Sequence, residues 1–466
     1  MGESTQLGQP LFTRQSLIKL IWPLVIEQLL LMTVGMSETV MVTTAGEAVV
    51  SGVSLVDNVN ILLIQIFAAL GTGGAVVVSQ YLGRRDVEKA RSGAKQLIYV
   101  SAIAATAIMV LALVFREHVL RLLFGKISAE VMDSAMMYFF ATALAYPFMA
   151  IYNAGSALFR TMGNSRISMF CSLVVNVVNI GVNALLIFGF HLGALGAGIG
   201  TLVSRIVAAV IMLTLLQHDD CLLKLERVFH PELRWPMVKR ILGIGIPNGL
   251  ENGMFQVGKL LVLSLITSFD YGVDLAVAGS AVAANGIANS IAGVLNVPGQ
   301  AMGLALVTVV GQCMGAGEEK QAVSYTKKLM VVTYISMGLM AILCFFTAGP
   351  LASLFKLSVP TTAIVVQVLK VNSVFLLLFW PMSFTLPNAL RASGDALFTM
   401  IVSLLSMFIF RIGFSFVLGA DTLFGAPMLG LHLMGTWLAM FIDWIVRAIV
   451  FFIRFATGGW KKHKVI

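Results

Sequence analysis

The chain has 466 residues, 58% hydrophobic and only 11% charged, against roughly a quarter charged in a soluble domain. With a mean hydropathy of +0.93 this excludes a soluble globular protein. The apolar runs are too long for barrel strands, which leaves a helical polytopic membrane protein. A net charge of +9 does not point to nucleic acid, because the basic residues sit in short loops where they report topology and contact with anionic lipid.

The opening stretch MGESTQLGQPLFTRQS is polar, has no cleavable signal pattern, and its Gln6 breaks the myristoylation motif. Twelve spans follow, near 17-45, 50-82, 95-115, 130-158, 167-190, 193-217, 237-268, 276-312, 323-347, 361-389, 396-418 and 428-455. Several exceed the ~20 residues a span needs, which predicts tilt, kinks or extension into water. The four cysteines (Cys171, Cys221, Cys313, Cys344) form no CxxC pair or disulfide framework and read as small buried residues.

The first span, IWPLVIEQLLLMTVGMSETVMVTTA, carries Glu27 and Glu38. Eleven residues make about three turns, so both acids lie on one face, roughly 16 Å apart. Pro23 removes a hydrogen-bond donor one turn before Glu27. Carboxylates inside a span are costly and mark ion or substrate pathways; each can also snorkel or pair with a neighbouring cation. Asp57, Asn58 and Asn60 open the second span. Polar ladders recur at helical spacing: Asn176, Asn179 and Asn183 in span 5; Asn248, Asn252, Gln256 and Lys259 in span 7, beside Glu251; Asn285, Asn289, Asn296 and Gln300 in span 8, with Pro298 as a kink. Asn and Gln also glue helices together, but ladders in several spans point to a lined cavity. Met32, Met36, Met254 and Phe255 can add an adaptable apolar surface to it. Lys259 calls for a partner on another helix, and Arg411 with Asp443 and Arg447 reads as a structural ion group.

One side of the membrane carries 22 Lys and Arg; the other carries Arg116, Arg121, Lys126 and Lys356. The positive-inside rule then places both termini in the cytoplasm. The chain also repeats itself. WPLVIEQ at 22-28 matches IPNGLEN at 246-252; SQYLGRRDVEKA at 79-90 matches GQCMGAGEEKQA at 311-322; RTMGNS at 160-165 matches RASGDA at 391-396; Tyr146-Pro147 echoes Trp380-Pro381. The shifts stay between 224 and 234. The expected organisation is two six-helix lobes, 1-217 and 237-466, joined by a basic linker, 218-236. The repeat is parallel, about an axis along the membrane normal, and implies alternating access.

The twelve spans, the two lobes and the paired loops GTGGAVVVSQYLGRRDVEKA and VVGQCMGAGEEKQA, with FRTMGNSRISM and LRASGDALFTM, resemble the multidrug and toxic compound extrusion (MATE) family. The resemblance covers nearly the whole chain. It implies an all-α membrane protein with twelve transmembrane helices in two pseudo-symmetric six-helix lobes. It also implies a secondary antiporter of the prokaryotic plasma (inner) membrane, exporting amphipathic, cationic compounds in exchange for H⁺ or Na⁺. By this resemblance Glu38, in SETVMV, matches the family's coupling acid on helix 1. Asn179 matches its helix 5 asparagine, Asn183 stands where the family has an aspartate, and Thr201 matches its helix 6 threonine.

Asp57 joins this coupling set, and Na⁺ at Glu38 is the one metal considered. Glu27, Glu251, Asn252, Gln256, Met32, Met36, Met254, Phe255, Asn285 and Asn289 are expected to line the substrate cavity. No enzyme activity, cofactor or nucleic-acid partner is expected; the partners are small molecules and lipid, and the chain is expected to be a monomer. A flippase for a lipid-linked or polar-lipid substrate would call for a strongly basic cavity. A channel or sensor would show flux that neither saturates nor depends on an ion gradient.

Overall fold

The structure, a computed structural model, describes all residues except 1-9, 126, 227-231, 271-273, 275-278, 424-425 and 464. Lys126, Arg227 and Lys464 of the topology count, the polar stretch through residue 9, part of the 218-236 linker and the start of the eighth span at 276-278 lie outside the described residues.

The first half runs α1 (Arg14–Thr43), α2 (Glu47–Gly83), α3 (Val87–Val114), the short α4 (Arg116–Phe124), α5 (Ala129–Leu144), α6 (Tyr146–Thr161), α7 (Ser165–Ala184) and α8 (Gly193–Gln217). The second half runs α9 (Trp235–Phe269), α10 (Ala281–Leu295), α11 (Val297–Gly315), α12 (Glu319–Ser353), α13 (Val359–Leu378), α14 (Leu386–Ala392), α15 (Ala396–Ser406), α16 (Phe414–Gly419) and α17 (His432–Ala456). Three π-helical turns extend or join them: Leu185–Gly189, Pro381–Thr385 and Met407–Gly413. Among the described residues, eleven helices are long and apolar enough to cross a membrane, and the bent pair α5–α6 makes a twelfth. The all-helical, twelve-span expectation therefore holds; the departure from helix is a two-residue antiparallel pairing, Thr422 with Pro427.

Helix starts follow their caps. Thr13, Asp86, Ser128, Ser280 and Ser358 each accept a backbone N–H of the first turn. Asp86 explains why α3 starts eight residues before the expected span. The polar stretch EKARSGAK is helical from the cap onward, although only later residues are apolar enough for lipid. Hydrogen bonds from the Lys89 side chain and backbone hold the Asp86 carboxyl below its usual range. The fourth span breaks at Ala145 with a 46° bend, where Pro147 lacks the N–H that a continuous helix needs. The eighth breaks at Asn296, just before Pro298.

The repeat is visible as local geometry. α2 closes with Arg85 at φ 60°, with Asp86 N–H bonded to Tyr81 O at 3.0 Å and Arg85 N–H to Leu82 O at 2.9 Å. α11 closes identically with Gly317 at φ 76°, Glu318 N–H to Cys313 O at 2.9 Å and Gly317 N–H to Met314 O at 3.1 Å. α6 and α14 repeat the motif with Gly163 at φ 77° and Gly394 at φ 106°. All four are left-handed C-terminal caps with paired 6→1 and 5→2 bonds. The matched loop sequences thus encode matched helix ends.

By contacts the chain divides into two compact units: Met1–Ile246 with Leu304–Thr326 and Val465–Ile466, and Pro247–Gly303 with Lys327–Lys464. The first unit includes the start of α9 and the second half of α11, so the division does not follow the sequence halves. Within the first unit α2 and α11 cross backbone to backbone. A Cβ on Gly83 would stand 2.0 Å from Gln312 O, and one on Gly315 1.9 Å from Gln80 O, so both positions require glycine. The core of this unit joins Met41, Val56, Phe67, Tyr138, Phe139, Tyr146 and Ala197. That packing fixes α1, α2, α5 and α8 around one polar cluster.

Candidate functional site

Glu38 of α1 is 8% exposed and faces α5 and α8. Its Oε1 lies 2.8 Å from the Tyr138 hydroxyl, and the same hydroxyl lies 2.9 Å from Oδ1 of Asp57 on α2. Thr201 Oγ1 reaches both Glu38 oxygens, at 3.3 and 3.4 Å. Asn179 donates to Thr201 Oγ1 at 3.4 Å, and Asn183 donates to Asn179 Oδ1 at 3.1 Å. On the other flank Asn60 donates to Asp57 at 3.5 Å and accepts from the Tyr146 hydroxyl at 2.9 Å. The five expected coupling residues therefore form one connected network from Asn183 to Asp57. Their i, i+4 spacing on α7 puts Asn179 and Asn183 on one face. Gly200 admits Asn183, since a Cβ there would stand 1.8 Å from Asn183 Oδ1.

Hydrogen arithmetic gives this network its chemistry. A tyrosine hydroxyl carries one hydrogen, yet Tyr138 contacts two carboxyl groups at hydrogen-bond distance. Both contacts are hydrogen bonds only when Glu38 or Asp57 carries a proton and donates it back to the Tyr138 oxygen. The site as built has a place for one exchangeable proton.

Glu27 has a different setting. It is 2% exposed, and its Oε1 accepts from Arg160 at 2.9 Å. Arg160 is the arginine of RTMGNS. In the second unit Glu251 accepts from Arg391, the arginine of RASGDA, at 2.7 and 2.8 Å, and from Ser403 at 2.7 Å, with Arg447 at 3.5 Å. The two repeated acids thus pair with the two repeated arginines. Both acids are buried, with Arg391 buried and Arg160 half-buried beside them, so neither acid presents a free carboxylate to a cavity.

The remaining cavity candidates divide between the units. On α1 Met32 is half-buried and Met36 exposed. In the second unit Asn252, Met254, Phe255 and Gln256 are half-buried. Asn285 accepts from the Trp437 indole at 3.1 Å and from Asn289 at 2.9 Å. Phe255 is ringed by Phe384, Arg411 and Lys259. The expected Arg411–Asp443 ion pair does not form within 4 Å. Arg411 lies on the Phe255 ring instead, while Asp443 Oδ1 takes the Ser406 hydroxyl at 2.5 Å. Nor does Lys259 gain an acidic partner among the described residues.

Sequence reading missed Tyr138, Tyr146 and Ser403 as parts of these clusters, and read Arg160 and Arg391 only as topology and repeat. The arginines carried a usable signal, since they recur at the same register as the acids they bind. Tyr138, one aromatic in the apolar run MMYFF, carried none.

The MatE family model matches residues 23–185 and 259–417. A probable multidrug resistance protein NorM of Thermotoga maritima is 25% identical over 461 residues, covering 97% of this chain and 94% of that one. An uncharacterized transporter YisQ of Bacillus subtilis is 25% identical over 467 residues, covering 98% and 97%. The fold is similar to a solved outward-facing multidrug resistance MATE family transporter of the MOP superfamily, with a TM-score of 0.85 at 21% identity over 96% of each chain. Two segments matched by one family model, set on a twelve-span helical fold with the same repeated loops, place this chain in the MatE family of multidrug efflux transporters.

Proposed function

We propose that this chain is an antiporter that exports amphipathic small molecules in exchange for protons entering through the Glu38–Tyr138–Asp57 cluster. The observation that carries this reading is the single hydroxyl set between two carboxyl groups. Releasing its proton leaves two anions about one hydroxyl, an arrangement disfavoured by like-charge repulsion. Proton loss therefore biases α1 against α2 and α5, and a cargo that binds the deprotonated form completes the exchange. The Asn179 and Thr201 oxygens would also suit Na⁺, but the Tyr138 hydroxyl already bridges the acids. The chain is read as a monomer in a prokaryotic inner membrane, and its loop charges support placing both termini in the cytoplasm.

The test is transport in liposomes with rhodamine B and ethidium as fluorescent probes. A pH gradient alone is expected to drive probe movement, and a protonophore to stop it. Movement driven by a Na⁺ gradient alone would replace the proton with sodium. Movement that ignores both gradients would remove the antiporter reading in favour of a channel.

A further inference from the structure

Two cations of the second unit, Lys259 and Arg411, have no acid within 4 Å among the described residues, and both lie on the ring of Phe255 on α9, with Arg447 nearby. Arg411 lies 4.6 Å from the ring centroid, Lys259 5.3 Å and Arg447 5.9 Å. Phe384 meets the same ring edge-on at 6.0 Å. Lys259 stands one turn beyond Phe255 and one turn before Val262, which packs on the buried core of this unit. Between them Gly258 abuts Met407. This face of α9 points into the unit, yet Lys259 as a whole residue is exposed, with its ammonium on the Phe255 ring. Arg411 is only 8% exposed. It sits in the π-helical turn Met407–Gly413, a distortion that often marks functional positions because it re-aims side chains.

The acids of the unit are engaged elsewhere. Glu251 is held by Arg391 and Arg447, and Asp395 by Arg454. Asp443 takes the Ser406 hydroxyl and attracts Arg411 and Arg447 from beyond ion-pair distance. Among the described residues neither Lys259 nor Arg411 has a carboxylate within 4 Å. The three cations on the Phe255 ring are Lys259, Arg411 and Arg447, and of these Arg447 alone has an acid within 4 Å among the described residues, Glu251. A guanidinium withdrawn from water without an acceptor is costly, and two cations on one ring repel each other. An oxyanion brought from outside offsets both effects. A guanidinium and an ammonium beside an aromatic face suit a carboxylate or phosphate carried on an aromatic molecule.

We propose that this unit binds the oxyanion of an aromatic, amphipathic cargo, with Lys259 and Arg411 on the anion and Phe255 on the ring system. The proposal names a chemical class for the exported compound and so rests on the transporter reading above. It departs from the expectation of amphipathic, cationic cargo: the compound carries an anionic group whatever else it carries. The headgroup of an anionic lipid offers the same chemistry, and the experiment separates the two sources.

Rhodamine B carries a free carboxylate on a cationic aromatic system; its ethyl ester is the same molecule without the anion. Binding of each to the full-length protein in uncharged detergent is followed by fluorescence anisotropy, with no ion gradient present. The wild type is expected to hold the acid about tenfold tighter than the ester. In Lys259→Met and Arg411→Gln that ratio is expected to fall to about one, and Arg411→Lys to keep part of it. The ratio is read within one sample, so a smaller folded fraction does not mimic the effect. Equal binding of acid and ester by the wild type would overturn the proposal. So would a ratio of about one together with displacement by phosphatidylglycerol and not by phosphatidylcholine, which would assign the site to lipid. Either result leaves proton coupling standing, and a failure of gradient-driven export leaves this binding ratio untouched.

Discussion

Export driven by a proton gradient is expected to fall at least about tenfold in Glu38→Gln and in Asp57→Asn, a loss of 1.4 kcal/mol or more. The reason is the hydrogen count at Tyr138. An amide in place of either carboxyl keeps the shape and satisfies the hydroxyl, but it removes the group that trades its proton. Binding of rhodamine B in detergent should remain measurable in both variants, because the cargo is proposed to bind elsewhere, but be weaker in Glu38→Gln, whose amide stands for the protonated state that cargo disfavours. Tyr138→Phe is expected to lose less than either, since both carboxyl groups remain and only the bridge between them is gone. Liposome flux at a fixed pH gradient ranks the three variants. Full export by Glu38→Gln would remove this residue from the coupling path.

The largest expected loss of stability lies at the other acid of α1. Breaking one side of a buried ion pair costs about 3–5 kcal/mol, because it strands the remaining charge. Arg160→Ala does this to Glu27: among the described residues its Oε1 is held by Arg160 alone and its Oε2 has no hydrogen-bond partner. Arg391→Ala should cost less, since Glu251 keeps the Ser403 hydroxyl and Arg447. The double replacement Glu27→Leu with Arg160→Leu should recover much of the loss, as apolar side chains of similar volume often do. Thermal unfolding followed by size-exclusion chromatography orders these variants. An Arg160→Ala protein as stable as wild type would mean that the pair contributes nothing.

These expectations show which features the sequence carried. Apolar runs located the spans because lipid allows few other solutions, and the matched loops located four identical helix ends. Glu38, Asn179, Asn183 and Asp57 were readable as polar residues in apolar surroundings, and Thr201 only through the family resemblance. Partner choice was not readable. Tyr138 joins two acids from a helix with no polar pattern of its own, and only packing in three dimensions sets it between them. The π-helical turn around Arg411 was equally hidden, because the run ALFTMIVSLLSMFIFRIGFSFVLG is apolar on every side and offers no periodicity for one extra residue to shift. For that reason Arg411 read as the partner of Asp443, while the structure gives it to Phe255. Glu27 and Glu251 show the opposite case. Their partners were already in view as repeated arginines, and pairing each acid with the arginine of its own repeat would have assigned them correctly.

The central claim is that the Glu38 cluster holds a proton that cargo binding releases. Proton release can be measured directly by adding saturating rhodamine B to the detergent-solubilised protein in weak buffer with a pH-sensitive dye. The wild type is expected to release about one proton per chain, as linkage between two exchanging ligands requires, and Glu38→Gln none. No release by the wild type, or undiminished release by Glu38→Gln, would contradict the account.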